Sequence, residues 1–210
     1  MEESLSLEDF KKIFLSIEKK LQDNKEYLSK LDSFIGDGDH GLTITRGFKN
    51  VVEIIETDNF NSISELLILI GAKLTSTMGG VSGVIFGTLF KAMGEVITQK
   101  EYVSLADLYH MFLAALEKIK QVGKAKPGDK TMIDSLEPAV MKLNEMLKTK
   151  IPLKDAVFQM AKAAEQGAIS TKNMIALKGR AKFLGERSIG YQDAGATSFY
   201  LILNTMYEAI

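Results

Sequence analysis

The chain has 210 residues, 46% of them hydrophobic and 25% charged, with a formal net charge of −1 and no cysteine. That is enough apolar content for a buried core without staples, too little positive charge to favour nucleic acid or an anionic membrane surface, and no sulfur for a disulfide, a thiolate nucleophile or a Cys-ligated zinc. The acidic Met1-Glu2-Glu3 start lacks the basic-then-apolar order of a signal peptide, and no apolar run approaches the roughly 18 residues a membrane span needs, so a cytoplasmic protein with no nucleic-acid or membrane partner is expected.

Apolar spacing is helical nearly throughout. Phe10, Ile13, Phe14, Ile17 and Leu21 recur at i, i+3, i+4 and i+7 behind a Ser6/Asp9 start signal. Leu42, Phe48, Val51, Val52 and Ile55 make a second stripe, and Ser62 with Glu65 reads as a capping box before Leu66, Leu67, Ile70 and Leu74. Val84 to Ile97 is a further helix, and Ser104/Asp107 opens one through Leu108, Phe112, Leu116 and Ile119. Met132 to Leu147 follows with a kink expected at Pro138. Pro152 suits the first turn of a helix carrying Val157 and Met160, and Phe199, Ile202, Leu203 and Met206 form the last. Period-2 strands are absent. The spacing predicts an all-α fold of about eight helices, up and down, as one domain over residues 1–210.

The glycines are clustered: four fall at 36–47, four at 79–87, two at 123–128 and four at 179–195, which is 14 of 17. In an up-and-down array alternate connections share an end, so these four would meet and offer backbone N–H groups at close approach. Between Met174 and Gly195 about 20 residues lack periodicity, an unusual length for a loop in a compact domain. The segment carries Lys178, Arg180, Lys182 and Arg187 together with Phe183, Leu184 and Ile189, and is expected to be an ordered loop that closes over something anionic.

Ile35-Gly36-Asp37-Gly38-Asp39-His40-Gly41 is the sharpest local signal. Gly36, Gly38 and Gly41 satisfy G-x-G-x-x-G, but a helical stripe rather than a strand precedes them, and Asp37 and Asp39 would repel a pyrophosphate. Two unit charges about 4 Å apart interact by roughly 4 kcal/mol at an effective dielectric of 20. A divalent cation between carboxylate and phosphate reverses the sign. Oxygen ligands point to Mg²⁺, Mn²⁺ or Ca²⁺; Leu42 and Phe48 stand where an EF-hand wants Gly and Glu, and Mg²⁺ suits one or two carboxylates plus substrate phosphates. Asp32, Asp37 and Asp39 lie close enough in the chain to share a pair of such ions, with His40 as a donor to phosphate. Taken alone, a solvated Asp/Gly turn explains this loop equally well. Gly123 and Gly128 have Walker A spacing, but Asp129 intrudes before Lys130, so no P-loop is formed. His110 reads as a surface residue. Ser82 has no legible His–Asp partners and is better suited to phosphate.

Four blocks in order resemble the L subunit of dihydroxyacetone kinase, the nucleotide-carrying partner of a substrate-holding K subunit. They are Leu31-Asp32-x-x-Ile35-Gly36-Asp37-Gly38-Asp39-His40-Gly41, Gly79-Gly80-Val81-Ser82-Gly83, Gly128-Asp129-Lys130-Thr131-Met132, and Lys178-Gly179-Arg180-Ala181-x-x-Leu184-Gly185-Glu186-Arg187-Ser188. The resemblance covers almost the whole chain and implies a closed barrel of eight antiparallel helices with the nucleotide at one rim. It implies two Mg²⁺ on Asp32, Asp37 and Asp39. It places ADP or ATP against His40, Gly41, Leu42, Thr43, Val81, Ser82, Gly123, Met132, Arg180, Asp193, Ala194 and Gly195. Arg180 would join the metals in spreading charge on the transferring phosphoryl group. The implied partners are a K subunit holding dihydroxyacetone and a phosphotransferase-system protein that recharges ADP in place; a homodimer stays open. An ATP-dependent kinase for another short sugar or a fatty acid, and a non-catalytic metal–nucleotide regulator, are the rival readings. The family commonly has His-x-Asp-Pro-Gly-Ala where this chain has Tyr191-Gln192-Asp193-Ala194-Gly195-Ala196.

Overall fold

The computed structural model describes residues 3–98, 100–149 and 151–210. Among these the regular structure is helical: α1 (Leu7–Asp23), α2 (Lys25–Ile35), α3 (His40–Thr57), α4 (Ile63–Met78), α5 (Gly80–Glu95), α6 (Leu105–Gly123), α7 (Ile133–Met146), α8 (Leu153–Ser170) and α9 (Ala194–Ala209), with 3-10 turns at Thr171–Asn173 and Ala181–Ser188. The start signals act as expected. Ser6 and Ser104 each accept from the backbone N–H three residues on, while Asp9 and Asp107 reach back to the cap N–H. Ser62 caps α4 through the N–H of Glu65.

From α3 onward each helix packs on its successor, and α1 packs on both α9 and α3. The order of neighbours therefore closes into a ring of eight helices, while α2 lies against α3 and α9. One apolar cluster fills the ring, drawing on every helix. Phe90 sits edge-on to Phe14 and Phe48, at centroid distances of 5.1 and 6.1 Å, an arrangement that aromatic quadrupoles favour. No helix among the described residues is long and apolar enough to cross a membrane.

The helix-forming stripes were anticipated one for one except that α2 was not resolved as a helix of its own. Gly83 and Gly87 prove to be packing residues: a Cβ at Gly87 would run into Thr75 of α4, and one at Gly83 would lie 3.1 Å from the Leu74 carbonyl. Gly47 is likewise pressed on Met78. These three therefore bring α3, α4 and α5 close together and leave Gly79 and Gly80 as the open part of that glycine group. Pro138 lies within α7. Its missing N–H frees the Asp134 carbonyl, which Gly167 of α8 approaches so closely that no side chain fits there.

Candidate metal and nucleotide site

The connections α2–α3, α4–α5, α6–α7 and α8–α9 converge. Asp37 in the first bonds Arg180 in the last, at 2.9 Å. His40 Nε2 lies 2.9 Å from Ser198 Oγ in α9, and Phe34 stacks on Tyr191 with centroids 4.5 Å apart. Arg46 of α3 donates to the Thr77 and Met78 carbonyls, both at 2.9 Å, just ahead of Gly79. A Cβ at Gly123, the end of α6, would lie 3.3 Å from Ile85 in the first turns of α5.

The aspartate cluster is built by the α2–α3 corner. Gly41 lets α3 lie directly on α2, since a Cβ there would strike the Lys25 carbonyl and Ser29. That approach sets Asp32, in the last turn of α2, beside the start of α3, where it accepts from the His40 N–H at 3.3 Å. Gly36 has no room for a side chain next to the Asp32 carboxylate, and Gly38 turns the chain at φ 78°. One carboxylate oxygen from each of Asp32, Asp37 and Asp39 lies within 4.8 Å of the others, with Asp32 partly buried and the other two exposed. Asp39 precedes α3 without capping it, so its carboxylate is not consumed by the helix.

Burial, and then repulsion from Asp37 and Asp39, raises the Asp32 pKa above the ordinary carboxylate value, partly offset by backbone N–H groups of His40 and Gly38. A cluster arranged this way gains from a cation. Mg²⁺ bonds oxygen at about 2.0–2.1 Å, so two oxygens on one ion stand at most about 4.2 Å apart. A spread of 4.8 Å therefore suits small rotations onto one ion or a shared pair, and the donor set is the hard oxygen type that Mg²⁺ takes. The residues fit the metal. Arg180 supplies the neighbouring positive charge through a side chain 75% exposed, and an ion pair so open is worth at most about 1 kcal/mol. It can release Asp37 for an incoming phosphate at little cost.

The remaining expected contacts occupy varied environments. Gly79 and Gly80 both have positive φ, 72° and 59°, with open space where a side chain would be, and α5 begins immediately after. Backbone N–H groups there are free to meet an anion. Val81 and Leu42 are 72% and 51% exposed and offer apolar surface at the rim, with Ser82 half-buried between. Gly41 and Thr43 are buried in the first turn of α3. Met132 is only 5% exposed, so most of its side chain is committed to the core. His40 is buried, and burial drives its pKa down to about 4, which leaves a neutral ring at pH 7. With Nε2 against Ser198, only Nδ1 remains for a ligand. Asp193 caps α9 by accepting from Ala196 N at 2.7 Å, and Ala194 and Gly195 form the first turn behind it. Tyr191, where the family commonly has His, is held by its stack on Phe34. His110 is exposed, as expected.

The sequence did not single out Arg46, and Lys130 entered only in the rejected Walker A spacing and in the third motif block. Neither was expected to make the bonds to main-chain carbonyls that both make at the rim. Nothing in their spacing marks them, because their partners lie 31 to 61 residues away.

Residues 34–208 match the family described as the DAK2 domain. The chain belongs to that family. It is 41% identical over 86% of both chains to the PEP-dependent dihydroxyacetone kinase ADP-binding subunit DhaL of Escherichia coli K12. It is 38% identical, over 91% of both, to the PTS-dependent counterpart of Lactococcus lactis. The crystal structure of the Citrobacter freundii dihydroxyacetone kinase in complex with AMP-PNP and Mg²⁺ is similar over the whole chain, with a TM-score of 0.75 and 27% identity. This chain spans 35% of that longer enzyme. The all-α fold expected from the stripes is therefore the observed one, with structural relatives of the same helical kind.

Proposed function

We propose that this chain, acting as one domain, is the ADP-carrying subunit of a dihydroxyacetone kinase. The observation that carries the reading is the convergence of three carboxylates beside Arg180, in a chain that spans 86–91% of relatives named as ADP-binding subunits. Asp32, Asp37 and Asp39 would hold two Mg²⁺ ions. Bound there, the metal would neutralise phosphate charge and polarise the phosphoryl oxygens. The protein's own groups do the rest. Gly79 and Gly80 present N–H groups to phosphate, Leu42 and Val81 offer apolar surface to the base, and Arg180 donates to the phosphoryl group being transferred. Asp193 shapes the first turn of α9. Positioning and electrostatics, rather than a covalent intermediate, supply the catalysis.

The acceptor, dihydroxyacetone, would be held by a separate K subunit, and the phosphoryl donor that recharges ADP in place would be a phosphotransferase-system protein. The named dependence of the similar subunits on PEP or on the PTS supports this version. A second acceptor class has a specific observation behind it: the L-erythrulose kinase of Pectobacterium atrosepticum is 33% identical over 87% of this chain, which spans 31% of that enzyme.

Denaturing the purified protein and identifying the nucleotide it releases tests the reading. ADP that survives gel filtration and is lost on chelation is expected. Asp32→Ala and Asp39→Ala should each weaken that retention by about a hundredfold or more, since losing even a group that only supports a metal ligand costs about 10–100-fold in metal affinity and these would be the ligands themselves. Retention unchanged in both variants sinks the metal-mediated site. Turnover with candidate K-type partners, on dihydroxyacetone against erythrulose and with a phosphotransferase donor against ATP, separates the acceptors and donors.

A further inference from the structure

Lys130 is 2% exposed, and its ammonium is met by main chain. Nζ donates to the carbonyls of Thr171 and Ser188 at 2.8 Å and of Tyr191 at 2.5 Å, with Met174 at 3.3 Å. A buried ammonium must satisfy its three N–H groups, and carbonyl dipoles do so here. The benefit is mutual. The segment between α8 and α9 has only short 3-10 turns, and among the described residues only the Thr171 carbonyl of these four also accepts from a main-chain N–H, that of Met174. The four acceptors flank residues 175–187, so one side chain pins both ends of the stretch that carries Arg180.

The turn that aims Lys130 is itself built for the task. Lys130 has φ +60°, unusual for a residue with a side chain. Asp134 accepts from the N–H groups of Gly128 and Thr131 on either side. Asp129 accepts from Lys126, while its carbonyl receives Leu177 N–H. Burial pulls the Lys130 pKa below the usual lysine value, and the Asp193 charge opposes that shift. The Arg180 side chain is anchored through the exposed pair with Asp37.

We propose that Lys130 is a positioning residue: its ammonium gathers the Thr171, Met174, Ser188 and Tyr191 carbonyls and so holds the 175–187 stretch, with Arg180, beside the aspartate cluster. The role in nucleotide binding rests on the reading of the site given above. Lys130 touches no ligand in this scheme and acts through Arg180.

Trypsin reads the strut directly, because Lys178, Arg180, Lys182 and Arg187 provide four cleavage points inside the segment. In Lys130→Met, cleavage there should quicken at least about tenfold while the helical circular dichroism is kept, and Mg–ADP affinity should fall by about ten- to a hundredfold. The loss should be absent when Lys130→Met is added to Arg180→Ala, because both remove the same contribution. Since the chain has no cysteine, Lys130→Cys can be alkylated alone, unfolded, and refolded. Aminoethylation, which restores an ammonium at nearly the same reach, should restore protection and affinity, and carbamidomethylation should not. Unchanged cleavage, a loss additive to that of Arg180→Ala, or equal rescue by both reagents overturns the proposal. Cleavage needs no nucleotide, so it decides the strut even if the protein retains no Mg–ADP, a result that would count against the proposed function instead. Should Lys130→Met not fold, the unsubstituted protein decides: Nζ protons shielded from solvent exchange are expected, and freely exchanging ones overturn the assignment.

Discussion

Asp193 caps α9 and sits in the fields of Asp134, Asp32 and Lys130. Burial raises its pKa to about 6, with the neighbouring carboxylates adding to the rise and Lys130 opposing it. Between the ordinary carboxylate value and about 6 the folded chain therefore binds more protons than the unfolded one, and stability falls as pH climbs through that window. Above it the penalty is complete. Asn caps a helix as well as Asp does and carries no charge to desolvate. Asp193→Asn in the ligand-free protein should raise the melting temperature at pH 7.5, by a stability gain of at most about 3 kcal/mol. The gain should vanish near pH 4, where wild-type Asp193 is already protonated. Thermal melts of both proteins across pH check it, and a gain that persists at pH 4 would show that desolvation of the charge is not the cause.

At the scale of elements, the same helix start shows what the departure from the family pattern does. Asp193 has φ −71° and ψ 129°, the extended backbone that a following proline requires, and Ala194 occupies the first helical position. That position leaves its N–H without an intrahelical partner in any case. Ala194→Pro should then stabilise the protein by about 0.4–1 kcal/mol through the unfolded chain, a rise of a few degrees in melting temperature with Mg–ADP affinity unchanged or improved. Destabilisation would mean that the ring does not fit the buried surroundings of Ala194. Elements with a periodic face and a capping box, such as α1 and α6, are legible in the sequence to within a residue or two because the local signals agree with the packing. Helix α2 was not separable from its surroundings. Of its 11 residues only Leu28 and Ile35 are buried, and Asn24 ends α1 by bonding the Lys20 carbonyl instead of capping α2. The 3-10 turn at 181–188 left no periodic trace because Gly185, at φ 56°, interrupts it.

Across the whole molecule the ring of neighbours brings four connections to one rim, and sequence order alone could suggest that convergence but not which residues use it. The acidic cluster was legible because Asp32, Asp37 and Asp39 lie within eight residues, whereas the cations that hold the rim reach across 31 residues from Arg46 and up to 61 from Lys130. A site assembled from four connections exists only in the folded state, so its ligand binds the native chain and not the unfolded one. Mass action then converts affinity into stability, about 2.7 kcal/mol at a hundred times the dissociation constant. For a chain of this size that is a rise of roughly 5–10 °C in melting temperature. The rise should need both components. ADP without a divalent ion meets three carboxylates whose charges repel its phosphates, and Mg²⁺ without nucleotide gains only the carboxylate ligands. Melting scans with ADP, with Mg²⁺, with both, and with both plus EDTA should therefore show a large shift in the third condition only. A full shift with ADP and EDTA together would mean that the phosphates are held by N–H groups and Arg180 alone, and that the aspartates have some other purpose.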